Sequence, residues 1–223
     1  VSLVAEIVAV SRVADDVADG ELLEFLKAHS ACTLDEAYDR APPTVLVRWA
    51  SLRGLSRQDH LRVALAVARL VVPRLWYARD VVRGALDAVE AGGGVCGLRE
   101  VIGAVEQHQQ IHHHSPRRAG DSGPHPMSER GEMYWTDCAA CSAAHACLDA
   151  VVASESHGDW LRIFTASAVD WATWAAAATG GCWGRVDEAR PSEPLPADAI
   201  RKVCEALIPR AMFHHQPQPT EQR

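Results

Sequence analysis

The sequence predicts an all-α fold: an antiparallel multi-helix bundle of about eight to ten helices. Three observations carry that expectation. Apolar residues recur at three- and four-residue intervals through most of the chain, which gathers them on one stripe of a helix. Gly, Pro and helix-capping residues stand between those runs, and no segment shows the strict two-residue alternation of a half-buried strand. A short α-solenoid is the alternative, placed second because no repeat period is present.

Leu3, Ile7, Val10, Ala14 and Val17 form the first stripe, which Gly20 is expected to end, and a short helix from Glu21 to His29 follows. Thr33 and Glu36 have the spacing of a capping box, in which each side chain satisfies a backbone N–H at a helix start. Pro42 and Pro43 then interrupt the chain, and Thr44 is placed to cap a helix bearing Val45, Leu46, Trp49 and Leu52. Gly54 suits the left-handed position that closes that helix.

Ser56 and Asp59 open the longest well-patterned helix, with Leu61, Leu65, Ala68, Val72 and Leu75 on one face and arginines on the other. Pro73 should kink or end it. Val82, Ala85, Leu86 and Val89 mark the next helix, which Gly92, Gly93 and Gly94 stop, and a further helix is expected from Leu98 to Gln110. From 112 to 131 the chain has no apolar period and many turn formers, and reads as a flexible loop.

A helix from Glu132 to Ser154 follows, with Trp135, Cys138, Cys141, His145, Leu148 and Val152 on its expected buried face. Beyond His157 and Gly158, the stripe Trp160, Phe164, Ser167, Trp171, Trp174 and Ala178 predicts another helix, its tryptophans read as core, ended by Gly180 and Gly181. Asp198 precedes a last helix with Ile200, Val203, Cys204, Leu207 and Ile208, and the tail from 214 to 223 is expected to fray. All 223 residues are assigned to one helical domain, since the size suits a single core and neither half has the pattern of an independent unit.

Composition narrows the partners. The formal net charge is −7, with no basic face of the kind that neutralises phosphates, so nucleic acid is not an expected partner. No run is apolar enough to cross a bilayer, and the opening VSLVAEIVAV, with Glu6 inside it and no basic flank, does not read as a secretory signal. Seven cysteines, an odd number lying within helical patterns, argue against a disulfide framework and for a reducing cytoplasm. Lysine occurs only at Lys27 and Lys202 against many arginines, which reads as genome base-composition bias.

The sharpest chemical feature is CAACSAAHAC. Cys138, Cys141 and His145 fall at i, i+3 and i+7 and project from one helical face, so they are the candidate metal ligands, with zinc as the cation they suit. A fourth ligand would come from Cys182, Cys204 or Cys32. The reading the residues favour over it is packing, because Cys and Ala are small side chains that let two helices approach closely. Thiol redox chemistry ranks below metal binding, since Cys138 is expected inside a helix and not at an activating N-terminus. His112, His113 and His114 read as a solvated run. No catalytic constellation emerges, for GxSxG, HExxH and P-loop patterns are all missing. Asp159 and Asp170 lie among tryptophans, where burial would raise a carboxyl pKa, although capping or facing water is the commoner role.

The blocks LRVALAVARLVVPRL, ALDAVEAGGG, CAACSAAHACLDAVVAS, HGDWLRIF and AIRKVCEALIP resemble the helical immunity proteins of bacterial polymorphic toxin systems and related Ala/Trp-rich helical proteins. The resemblance implies a cytoplasmic, non-enzymatic protein that binds and blocks a cognate toxin, and it transfers no individual functional residue. Two other classes stay open: a helical zinc protein using Cys138, Cys141 and His145, and a self-assembling helical scaffold.

Overall fold

A computed structural model describes residues 3–13, 17–75, 79–92, 101, 103, 139–177, 195–196 and 198–214. The described residues contain ten α-helices, one 3-10 turn and no strand, so the fold is all-α. In chain order the helices are α1 (Leu3–Val13), α2 (Val17–Ala28), α3 (Leu34–Arg40), α4 (Pro43–Leu52), α5 (Arg57–Val71) and α6 (Arg79–Glu90), with the 3-10 turn (Val72–Arg74) after α5. They continue as α7 (Ala139–Glu155), α8 (Gly158–Ala177), α9 (Ala199–Leu207) and α10 (Ala211–His214).

Local chemistry sets most boundaries as the sequence predicts. Thr33 and Glu36 form the capping box in full: the Thr33 hydroxyl accepts from Glu36 N at 3.2 Å, and Thr33 N donates to Glu36 Oε2 at 2.8 Å. Ser56 caps α5 by accepting from Asp59 N at 3.1 Å. Gly54 takes a φ of +86° after α4, the left-handed conformation that a Cβ penalises. Pro73, with no N–H to donate and a ring that crowds the preceding turn, coincides with the tightening of α5 into the 3-10 turn.

Two expectations are corrected. Gly20 lies inside α2 and does not end a helix, since one glycine in a helix costs only about 1 kcal/mol. Thr44 is not a cap: α4 begins at Pro43, with Pro42 at the cap position and no side-chain cap bond. The Thr44 hydroxyl instead donates to Asp170 on α8 at 3.4 Å. The segments expected as a helix at 98–110, a loop at 112–131, the helix stop at Gly180 and Gly181, and the tail beyond His214 lie outside the described residues, apart from helical Val101 and Gly103.

The centre of the bundle is a trio in which α5, α7 and α8 each pack on the other two. α8 also packs on α4 and α9, and α6 leans on α7. These partners lie far apart in sequence, whereas a solenoid's repeats touch only their neighbours, so the arrangement is a bundle. Buried side chains from Leu3 to Phe213 form one contiguous core.

The ends of the described chain are tied to α3 and α4 by specific contacts. Glu6 on α1, only 2% exposed, accepts from Trp49 Nε1 at 2.6 Å and from Arg53 Nε at 2.8 Å, and a second Arg53 nitrogen bonds its other oxygen. Phe213 on α10 packs between Trp49 and Tyr38, and the Tyr38 hydroxyl donates to Ile208 O at 3.2 Å.

Arginines close several helix ends. Arg57 donates to the Ser154 and Ser156 carbonyls at the end of α7, Arg201 to Tyr38 O and Ala41 O at the end of α3, and Arg74 to Ala176 O near the end of α8. The last carbonyls of a helix lack intrahelical partners, and a guanidinium fork can satisfy two at once while opposing the negative end of the dipole. The excess of arginine, whatever its genomic origin, therefore has a structural use that lysine would serve less well.

Candidate functional site

α7 and α8 form a helical hairpin joined by Ser156 and His157. Two cross-pairs fix its register: His145 faces Trp171, and Asp149, one turn on, faces Ser167, one turn back. Cys138 of the predicted metal trio lies outside the described residues, and Cys141 falls in α7 with its side chain outside them. His145 is half-buried with its ring stacked on Trp171, centroids 4.6 Å apart and planes 20° apart, and burial holds its pKa below the ordinary imidazole value. Among the described residues, no group of three His, Cys, Asp or Glu side chains is placed to hold a metal ion.

The other described cysteines are packing or surface groups. Cys147, the last cysteine of CAACSAAHAC, is fully buried; its thiol points to Ala68 O at 3.8 Å, and burial drives its pKa far upward. Cys204 is buried as well, its thiol pushed up to about 12 by the same cause. A thiol so strongly held in its protonated form is a poor nucleophile. Cys32 is half-buried and accepts from Arg40 at 3.2 Å.

The buried faces of the hairpin differ from those the periodicity predicts. On α7 the core residues are Ser142, Ala143, Ala144, Ala146, Cys147, Ala150, Val151 and Ala153, while His145, Leu148 and Val152 sit at the margin. On α8 they are Leu161, Thr165, Ala166, Ala168, Val169, Ala172, Ala175 and Ala176. The tryptophan stripe is therefore not the core face. Trp160 is 63% exposed and Trp174 45%, while Phe164 and Trp171 are partly buried at its flank. The physical reason is packing distance: three mutually contacting helices need small side chains where their axes approach, so alanine goes inward and the indoles are left outside.

One titratable group stands out that sequence reading missed. Asp149 is mostly buried in the α7–α8 interface, where it accepts from Ser167 Oγ at 2.6 Å, and burial raises its carboxyl from 3.8 to about 6 against the opposing effect of that bond. A lone acid inside AACSAAHACLDAVVAS was the available signal. Of the two carboxylates that the sequence places among tryptophans, Asp159 faces water, its side chain 84% exposed and paired with Arg162 at 3.0 Å. Asp170 is an exposed residue whose carboxyl pKa is raised, first by partial burial and then by the nearby Glu21 carboxylate, while Arg48, Thr44 and the Trp174 indole pull it the other way.

The outer side of α8 is thus a ridge carrying Trp160 near its start and Trp174 near its end, with Asp159 and Asp170 beside them. No described helix is long and apolar enough to cross a membrane. Within the described residues the site belongs to an all-α bundle that presents aromatic groups outward from an alanine-packed helix. Comparison with protein-family models, with curated proteins and with solved structures gives no match.

Proposed function

We propose that this chain acts by binding another protein, with the outer ridge of α8 as the contact surface. The single observation that carries this reading is the inversion of α8: alanines occupy its buried face, while Trp160 and Trp174 are turned to solvent. Leaving indoles in water forfeits their burial energy, and tryptophan is the residue most enriched at the energetic centres of protein interfaces. An immunity role, in which the partner is a bacterial toxin domain neutralised in the cytoplasm, is the form of this function that the sequence resemblance implies. The ridge needs no catalytic group to serve it.

Affinity capture from the native host tests the surface, comparing the wild-type chain with a Trp160→Ala/Trp174→Ala variant. A partner retained by the wild type and lost from the variant supports the reading, and identical partners for both overturn it. A zinc site built on Cys138, Cys141 and His145 is the second reading, supported by their spacing at i, i+3 and i+7 on one helical face. Metal analysis of protein purified without a metal-affinity step decides that one, with less than about a tenth of an equivalent of zinc removing it.

A further inference from the structure

The charges along the α8 ridge carry information about its partner, an inference that rests on the ridge being a binding surface. Trp160 and Trp174 are fourteen residues apart on one helix, which separates them by about 21 Å along its axis. Each end of the ridge sets an exposed aspartate beside its indole. At the Trp174 end, Asp170 accepts from the Thr44 hydroxyl at 3.4 Å and from the indole, while the neighbouring guanidinium of Arg48 is bonded to Glu21 at 2.5 Å. At the Trp160 end, Arg162 is shared between Asp159 at 3.0 Å and the buried Asp19 at 3.3 Å. Both ends therefore place an acid group beside an exposed indole.

We infer that the ridge is built to receive a basic segment of a partner protein, with arginine or lysine side chains about 20 Å apart that meet Trp160 with Asp159 and Trp174 with Asp170. A guanidinium laid on an indole face gains a cation–π contact, and here it also meets a carboxylate. Charge complementarity selects this occupant over a second copy of the chain. Self-association through the ridge would bring like-charged carboxylates together, on a protein whose formal net charge is already −7. Apolar contact by the indoles supplies affinity, and the acid flank supplies the preference for a cationic partner.

The test uses the full chain and a defined probe: a soluble helical peptide with arginine pairs fourteen residues apart, followed by the indole N–H resonances in nitrogen-15 spectra. Titration is expected to shift the Trp160 and Trp174 signals together. Glutamate in place of the arginines should abolish the shifts, and a seven-residue spacing should weaken binding. Asp159→Asn/Asp170→Asn, two exposed substitutions whose folding circular dichroism confirms, should weaken the peptide about fivefold. Equal affinity for that variant, shifts confined to other residues, or no shifts at all would overturn the inference, as would light scattering that shows a dimer dissolved by Trp160→Ala/Trp174→Ala. The two proposals fail separately. A captured partner that depends on the tryptophans but ignores the aspartates leaves the surface standing and removes the basic partner, while indifference to the tryptophans removes both.

Discussion

Asparagine at position 149 keeps the size of the side chain and can still accept the Ser167 hydroxyl bond, but it cannot ionise. In the folded chain the Asp149 carboxyl titrates at about 6 against an ordinary value of 3.8. The folded state therefore favours the protonated acid. Its contribution is fully present below pH 3.8 and is lost as the pH rises through 6. A shift of that size corresponds to about 3 kcal/mol of destabilisation at pH 7, which the substitution would remove. For a chain of this length that is a gain of about 6–12 °C in melting temperature.

Thermal melts of wild type and Asp149→Asn, taken in parallel from pH 4 to pH 8, measure it. The advantage of the variant should be small at pH 4, grow through pH 6 and level off above pH 7. His60 and His145, both held below their ordinary values by burial, impose the opposite trend on each protein, and taking the difference cancels them. A difference that stays constant with pH, or a variant less stable than wild type at pH 7, would refute the reasoning.

His60, 3% exposed and with its Nδ1 unbonded within the described residues, titrates at about 4 because burial and then Arg162 oppose its charge. Its imidazole signals should remain those of the neutral form down to about pH 4, stability falling between pH 6.5 and 4, and a titration midpoint above 6 contradicts that placement. Arg53→Leu leaves the Glu6 carboxylate buried without its guanidinium and should cost about 3–5 kcal/mol in urea unfolding, while Glu6→Leu/Arg53→Leu should recover more than half of the loss. Gly54→Ala forces a Cβ into the left-handed region at a site with free space around it, so it should cost about 1–2 kcal/mol from backbone strain alone, and a neutral result would mean that the turn relaxes.

The two halves of the chain differ in how much structure their residues announce. Thr33 with Glu36, Ser56 with Asp59 and Gly54 are legible because a cap is a local contract between neighbours, and nothing distant is needed to fulfil it. Thr44 is the counterexample: its sequence neighbourhood suits a cap, but Asp170, far along the chain, accepts its hydroxyl. Periodicity misplaces the faces of α7 and α8 for a different reason. Alanine fits either side of a helix, so the largest apolar residues dominate the pattern and point to a core that in fact selects for small size. Asp149 is hidden by the same cause, since the burial that perturbs it depends on where α8 lies against α7.

The alanine faces of the central trio also govern what change the molecule can absorb. Alanine has no side-chain rotamers to lose, and an added methylene in a close-packed seam has nowhere to go. Sequence drift at Ala146, Ala150, Ala168 or Ala172 is thus tightly confined, whereas the solvent side of α8 can vary at small structural cost. A stiff keel of this kind holds its outward side chains in a fixed spacing before any encounter, so an incoming molecule would have little ordering entropy to overcome, and new preferences could arise by surface substitution alone.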